Sequence, residues 1–419
     1  MTLLRPLLLL LWLAVASAPA TAEAPAEAPA PPAGDGAALF DEAWRTAKDH
    51  FYDAALSEAD WQRLRAAHRP AGGIERAGEE VAARIDRMLA ELGASHTARY
   101  TPDDPAYYHL LDIFRESRPL RARLARLFPD GEPRYSGLAA FFAERSGRTF
   151  IAGLWQGGNA EQAGLKVGDE ILAADGEPFA PIRSFRGKAG REVTLTLRRA
   201  AGVEPEQIAV VPEEIRPRRA LLDAQKRSAR IVEQDGRRIG YMRVWSYAGR
   251  DYQEALVAAL SEGALKDADA LLLDLRGGWG GASPEYLWPF LPGPAMAFRS
   301  RGAPQWEAVS FKWRRPVGLL VDAGTRSGKE MLAHAFRSYA IGPVIGGHTA
   351  GAVLAGRVFP LSDDSILYLA VADVRVDGVR LEGAGVEPDI AVPFDLPYAG
   401  GADPQRDRGI EEMARRLRP

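Results

Sequence analysis

Three short stretches carry side chains that could act together on an acyl group. The first is Gly324-Thr325-Arg326-Ser327-Gly328-Lys329-Glu330, set between the apolar run Val317 to Val321 and a helical pattern beginning near Lys329. A serine at a helix N-terminus lies where free N–H groups and the helix dipole favour a developing oxyanion. Ser-x-x-Glu is also the pattern of a capping box, and caps are far commoner than nucleophiles. The second stretch is Asp274-Leu275-Arg276-Gly277-Gly278-Trp279-Gly280-Gly281, a buried strand running into a glycine loop. Glycines let backbone amides converge on an anion without Cβ obstruction, although an ordinary tight turn would read the same. The third is Ser95-His96-Thr97, just after a helix ending near Leu92. A serine nucleophile needs a general base, and histidine is the usual one at neutral pH. His348, in the glycine-rich stretch 346–352, is the rival base. His334 lies two helical turns from Ser327, about 10 Å away and too far for a direct hydrogen bond.

These residues need elements to hold them. Residues 1–22 read as a secretory signal: Arg5 gives the charged start, Leu7 to Val15 the apolar stretch, and Ala20-Thr21-Ala22 the small-residue cleavage site. The apolar stretch falls short of the ~20 residues that span a bilayer, which argues for export rather than an anchor. Residues 23–36 are an Ala/Pro linker. Residues 37–135 form an N-terminal helical domain and connector, with Phe40, Trp44 and Ala47, then Val81, Ile85, Met88 and Leu89, at helical spacing. From 136 to 200 short strands alternate with glycines, as in a small β-rich module. From 201 to 419 strands at Ile239–Val244, Ala270–Leu275, Val317–Val321 and Val344-Ile345 alternate with helices, and a charged helix closes the chain. The fold class is therefore α/β and mixed, with parallel pairing in the last part.

Composition narrows the function. The 419 residues are 47% hydrophobic and 26% charged, ordinary for a folded protein. Lys+Arg 53 against Asp+Glu 56 is too balanced for a nucleic-acid or membrane-surface binder. Cysteine is absent, which excludes disulfides, thiolate metal sites and a cysteine nucleophile. No two of the six histidines stand at i, i+4, so a helix-borne zinc site has no support.

Together the motifs resemble a family. Gly157 to Leu172 (GGNAEQAGLKVGDEIL) is similar to the core of a PDZ module, and DLRGGWGG, GTRSGKE, GGHTAGA and EGAGVEPDI follow it in order. That series, with FYDAALSEADW and LGASHT before it, resembles the C-terminal processing (tail-specific) serine peptidases. The resemblance implies that Ser327 is the nucleophile. Many members pair it with a lysine, which would fall at Ala352 here. The chain has seven lysines, and the only one after Lys312 is Lys329, expected to face away from Ser327. A branch similar to the tricorn core protease carries histidine in an SHT or GHT motif, and His96 matches it. The resemblance thus implies His96 as base, Gly281 and Gly328 as oxyanion donors and Glu382 as the supporting carboxylate, with Glu330 and Glu387 as alternatives. An unperturbed histidine base would make the rate rise between about pH 6 and 7.5. Gly137, Leu138 and Ala139 match the carboxylate-binding loop of the PDZ-like module, which would capture polypeptides by their free C-termini. No metal or organic cofactor is implied, and no nucleic-acid partner. The loss of the lysine leaves open a catalytically inactive relative that binds peptides in the cell envelope, or a hydrolase of another acyl substrate.

Overall fold

The computed structural model describes residues 36–70, 77–292 and 312–418, with short pieces between 297 and 308. The expected signal segment and all of the linker except Gly36 lie outside the described residues. No helix among the described residues is long and apolar enough to cross a membrane.

The N-terminal pattern condenses into helices Gly36–His50, Glu58–His68 and Ala77–Ala90. Phe40, Ala43, Trp44 and Ala47 stand at i, i+3, i+4 and i+7, so they form one apolar stripe. It packs against Trp61, Leu64, Val81, Ile85, Met88 and Leu89. Ser57 and Asp60 make a reciprocal capping box that starts the second helix. Leu361, with Leu367 and Leu369 of the strand Ile366–Ala372, completes this small core. The strand Ala98–Tyr100 pairs antiparallel with that same strand, Ala98 opposite Tyr368. The helical domain is thus stitched to a late part of the chain, and segment 95–97 is pinned where it enters the pairing. Two further helices follow, Pro105–Ile113 and Arg118–Leu127, each with proline in its first turn, and the second leads into the connector to the β-rich module.

Strands Ala140–Arg145, Arg148–Leu154, Glu170–Ala174, Val193–Arg198 and Glu206–Val210 build an antiparallel sheet in that order. Alternate residues of Val193–Arg198 are buried, as a sheet with one solvated face requires. The last strand carries the module to Val210, so the expected boundary at 200 cuts off a strand paired to Val193–Arg198.

The third part is a six-stranded sheet in which Arg237–Arg243, Ala270–Asp274, Val317–Val321, Val344–Gly346 and Ile390–Ala391 run parallel, with Arg230–Gln234 antiparallel at one edge. Ala270–Asp274 and Val317–Val321 are buried at every position, as strands covered on both faces must be. The helix Pro404–Arg415 packs on these strands through Ile410 and Met413. The loops leaving the carboxyl ends of three parallel strands carry the glycine loop, Ser327 and residues 347–353. Such ends are where open α/β sheets place their sites.

Candidate active site

Ser327 is the N-cap of the helix Gly328–Ser338 and has φ 56°, a left-handed conformation that a residue with a Cβ rarely adopts. Such strain persists only where the surroundings over-determine it. Glu330 is the main cause. Its fully buried carboxylate accepts the Ser327 amide (3.1 Å) and the Ala352 amide (2.8 Å) on one oxygen. The other oxygen accepts the Gly351 amide (2.7 Å) and the Thr349 hydroxyl (2.6 Å). The Ser327 amide also donates to the Ala352 carbonyl at 2.8 Å. Glu330 therefore locks the serine turn to loop 349–352, and is not a base support.

The glycine loop closes over the serine. A Cβ on Gly280 would come within 2.5 Å of the Ser327 Cβ, so only glycine fits there. Gly281 lines the cavity beside Ser327, and Gly328, at the first helical position, has no intrahelical acceptor for its amide. Beneath the loop, Arg276 pairs with buried Asp274 (2.7 Å) and with Asp403 (2.7 Å), the N-cap of the C-terminal helix. Burial by itself would raise the Asp274 carboxyl, but the Arg276 and Arg243 guanidiniums hold it well below the usual carboxylate range.

Lys329 does point away from the Ser327 cavity, yet it is not at the surface. It is fully buried, and its Nζ donates to the carbonyls of Gly277 (2.9 Å) and Trp245 (3.2 Å). Burial, with the nearby Arg243 cation, lowers its ammonium to about 7. Lys329→Ala is expected to cost about 2–4 kcal/mol of stability, through the cavity and the loss of the Nζ donor to the Gly277 carbonyl, while the Trp245 carbonyl keeps the Trp279 amide. Chemical denaturation measures this, and a change within ~0.5 kcal/mol would mean that the side chain behaves as a solvent-facing lysine.

His96 is buried, with φ 56°, and its Nδ1 lies 2.8 Å from Ser95 Oγ. Ser95 donates its hydroxyl to Glu382 Oε2 (2.8 Å) and its amide to Oε1 (2.9 Å). Glu382 also accepts the Val353 amide at 2.8 Å. A carboxylate only accepts, so the single Ser95 proton goes to Glu382 and the Ser95 lone pair takes Nδ1–H. This fixes the neutral tautomer with its lone pair on Nε2. Burial, reinforced by the Arg326 cation and opposed by Glu382, lowers His96 to about 4. His96 and Ser327 line one cavity of about 230 Å³, with Gly280, Gly281, Arg326, Leu354 and Tyr368 among its walls. Among the described residues, no cluster of three His, Asp or Glu side chains is placed to hold a metal ion.

Other expectations fall differently. The rival base His348 is half exposed, with Nδ1 2.8 Å from the Thr349 carbonyl and Nε2 3.5 Å from the exposed Glu387, outside the cavity. The expected carboxylate loop is a correction. Gly137 pairs with Glu213, Leu138 is buried in the module core, and the Ala139 amide is already taken by Asn159 Oδ1 at 2.8 Å. Of these three residues, Ala139 therefore has no amide free for a carboxylate. Sequence reasoning assigned no role to Ser95 or Arg326, although Ser95 is the first residue of the Ser-His-Thr triplet itself.

A serine strained at a helix N-terminus, a glycine loop against it, and a carboxylate-serine-histidine chain entering the same cavity define a serine hydrolase site on an α/β sheet. Residues 238–392 match the model of peptidase family S41, and residues 34–71 match the tricorn protease C1 domain. The chain is 27% identical over 406 residues to putative tricorn protease homolog 2 of Streptomyces coelicolor, covering 90% of this chain and 32% of that one. It is 26% identical to the carboxyl-terminal-processing protease of Synechocystis, covering 87% of this chain and 86% of the relative. The chain thus spans about a third of the tricorn homolog and most of the processing protease. Among solved structures it is similar to the photosystem II D1 C-terminal processing protease, with a TM-score of 0.52, 22% identity and coverage of 89% and 98%. It is also similar to the tricorn protease, with a TM-score of 0.52, 18% identity and coverage of 92% and 37%. Those two likenesses establish the fold.

Proposed function

We propose that this protein is a serine endopeptidase of the C-terminal processing type in which histidine replaces lysine as the general base. The observation that carries this reading is that Ser327 and His96 line one cavity, with His96 oriented by Ser95 and Glu382. Ser327 Oγ attacks the scissile carbonyl while His96 Nε2 takes its proton. The amides of Gly281 and Gly328 receive the oxyanion, His96 protonates the leaving amine, and water then releases the acyl-enzyme. Ala352, at the position of the lysine in other members, offers only backbone, bonded to Ser327 and Glu330. A fluorophosphonate probe tests the reading: it should modify the mature protein at Ser327. An unlabelled, folded protein would favour the inactive peptide-binding relative instead.

The base sets the pH profile. The active form of His96 is the neutral one, and burial together with the Arg326 cation brings its pKa to about 4. The rise of kcat/KM with pH is therefore expected near pH 4, and not between 6 and 7.5 as for a solvated imidazole. Glu382→Gln removes the one charge that favours the imidazolium, so it should move this limb to still lower pH. A limb at 6 to 7.5 would mean that the working base is not in the buried environment of His96.

Residues 136–210 are proposed to be the PDZ-like capture module. Because the Ala139 amide is occupied, the reading that fits is strand addition along Ala140–Arg145, an edge without a second neighbour among the described residues. Export rests on the charged and apolar pattern of residues 1–22.

A further inference from the structure

The cavity beside Ser327 is apolar over much of its wall, through Leu110, Ile113, Phe114, Leu354 and Tyr368, but one side is a cation. Arg326 has no carboxylate partner among the described residues. Its guanidinium lies 5.9 Å from the Trp279 ring, and Trp279 lines the same cavity. Its charge reaches inward, lowering His96 and opposing the burial that raises Tyr100 and Tyr368. Elsewhere in this arginine-rich chain buried guanidiniums are paired, as Arg276 is with Asp274 and Asp403. A half-buried cation against apolar walls is poorly solvated, and an anion entering the cavity would supply its missing partner.

Resting on the peptidase reading above, we infer that Arg326 selects substrates presenting a carboxylate beside the scissile bond. Two sources share this chemistry. One is a Glu or Asp side chain next to the bond, and the other is the free terminal carboxylate of a chain cut close to its end. In either case the Arg326 guanidinium forms a charge-assisted pair with the substrate as it settles against Ser327.

The test uses the mature enzyme and two sets of peptides, with cut sites mapped by mass spectrometry. In the first set both ends are blocked and Glu, Gln, Leu or Lys is placed at each position around the bond. In the second set neutral peptides are compared with free and with amidated C-termini. A preference for the carboxylate form of about 10- to 100-fold in kcat/KM is expected in one set, and the set that shows it identifies the source. Arg326→Gln should bring that ratio to about one, and Arg326→Glu should turn the side-chain preference towards Lys. Equal cleavage of all forms by the wild-type enzyme would overturn the inference, even if no variant folds. So would an Arg326→Gln enzyme that loses the same factor on every peptide, because the arginine would then serve the reaction and not its selectivity. A wild-type protein that cleaves nothing and takes no fluorophosphonate overturns the peptidase reading itself, which is distinct from cleavage without preference.

Discussion

Ser327→Ala is expected to lower kcat/KM by on the order of 10⁴-fold or more, His96→Ala by a similar factor, and the double variant by little beyond either. The reason is that the two side chains do one job. Without the hydroxyl there is nothing for the imidazole to deprotonate, and without the imidazole the hydroxyl stays a weak nucleophile. The oxyanion donors Gly281 and Gly328 survive all three substitutions and should leave a residual rate. Steady-state kinetics on one peptide settles it. Losses that multiply in the double variant would show that Ser327 and His96 act independently, and an active His96→Ala enzyme would direct attention to another base.

Glu330→Gln should cost about 3 kcal/mol or more of stability although it changes one atom. The carboxylate is fully buried and accepts from three amides and a hydroxyl at 2.6–3.1 Å. A glutamine amide keeps one oxygen, and turns its NH₂ donors towards N–H groups that are themselves donors. Leaving buried donors unmatched costs about 1–3 kcal/mol each. The denaturation midpoint should fall with little change in slope. Activity should fall further than stability explains, because the same carboxylate holds the Ser327 backbone in its strained turn. A variant as stable and active as the wild type would mean that the turn is held by the glycine loop and not by Glu330.

Much of the frame was legible along the chain because its signals are local. Ala270–Asp274 and Val317–Val321 are continuous apolar runs, as two-sided burial demands, and the glycine loop follows the first directly. Ser327 could be placed at a helix start from its neighbours alone, but not told from a cap, since Glu330 satisfies both patterns. The rest depends on pairing between distant segments. The chain Glu382–Ser95–His96 joins residues 287 positions apart, and no spacing rule reaches that far. The pairing of Ala98–Tyr100 with Ile366–Ala372 delivers it, and so short a strand leaves little periodicity to read. Lys329 shows the other limit. Its position on the helix gave the direction in which it points, but not that the glycine loop and Trp245 would close around it. At Ala139 the sequence shows a loop that could offer an amide, and not that Asn159, 20 residues on, has already taken it.

The stitching of the helical domain to the strand Ile366–Ala372 also has a consequence in time. A ribosome releases His96 long before Ser327, and Ser327 before Glu382. Until the last of these has emerged, the nascent polypeptide lacks the carboxylate that orients Ser95 and, through it, His96. Completion of the relay is thus a late event of synthesis, and a chain that stops before Glu382 carries its histidine without that orienting charge.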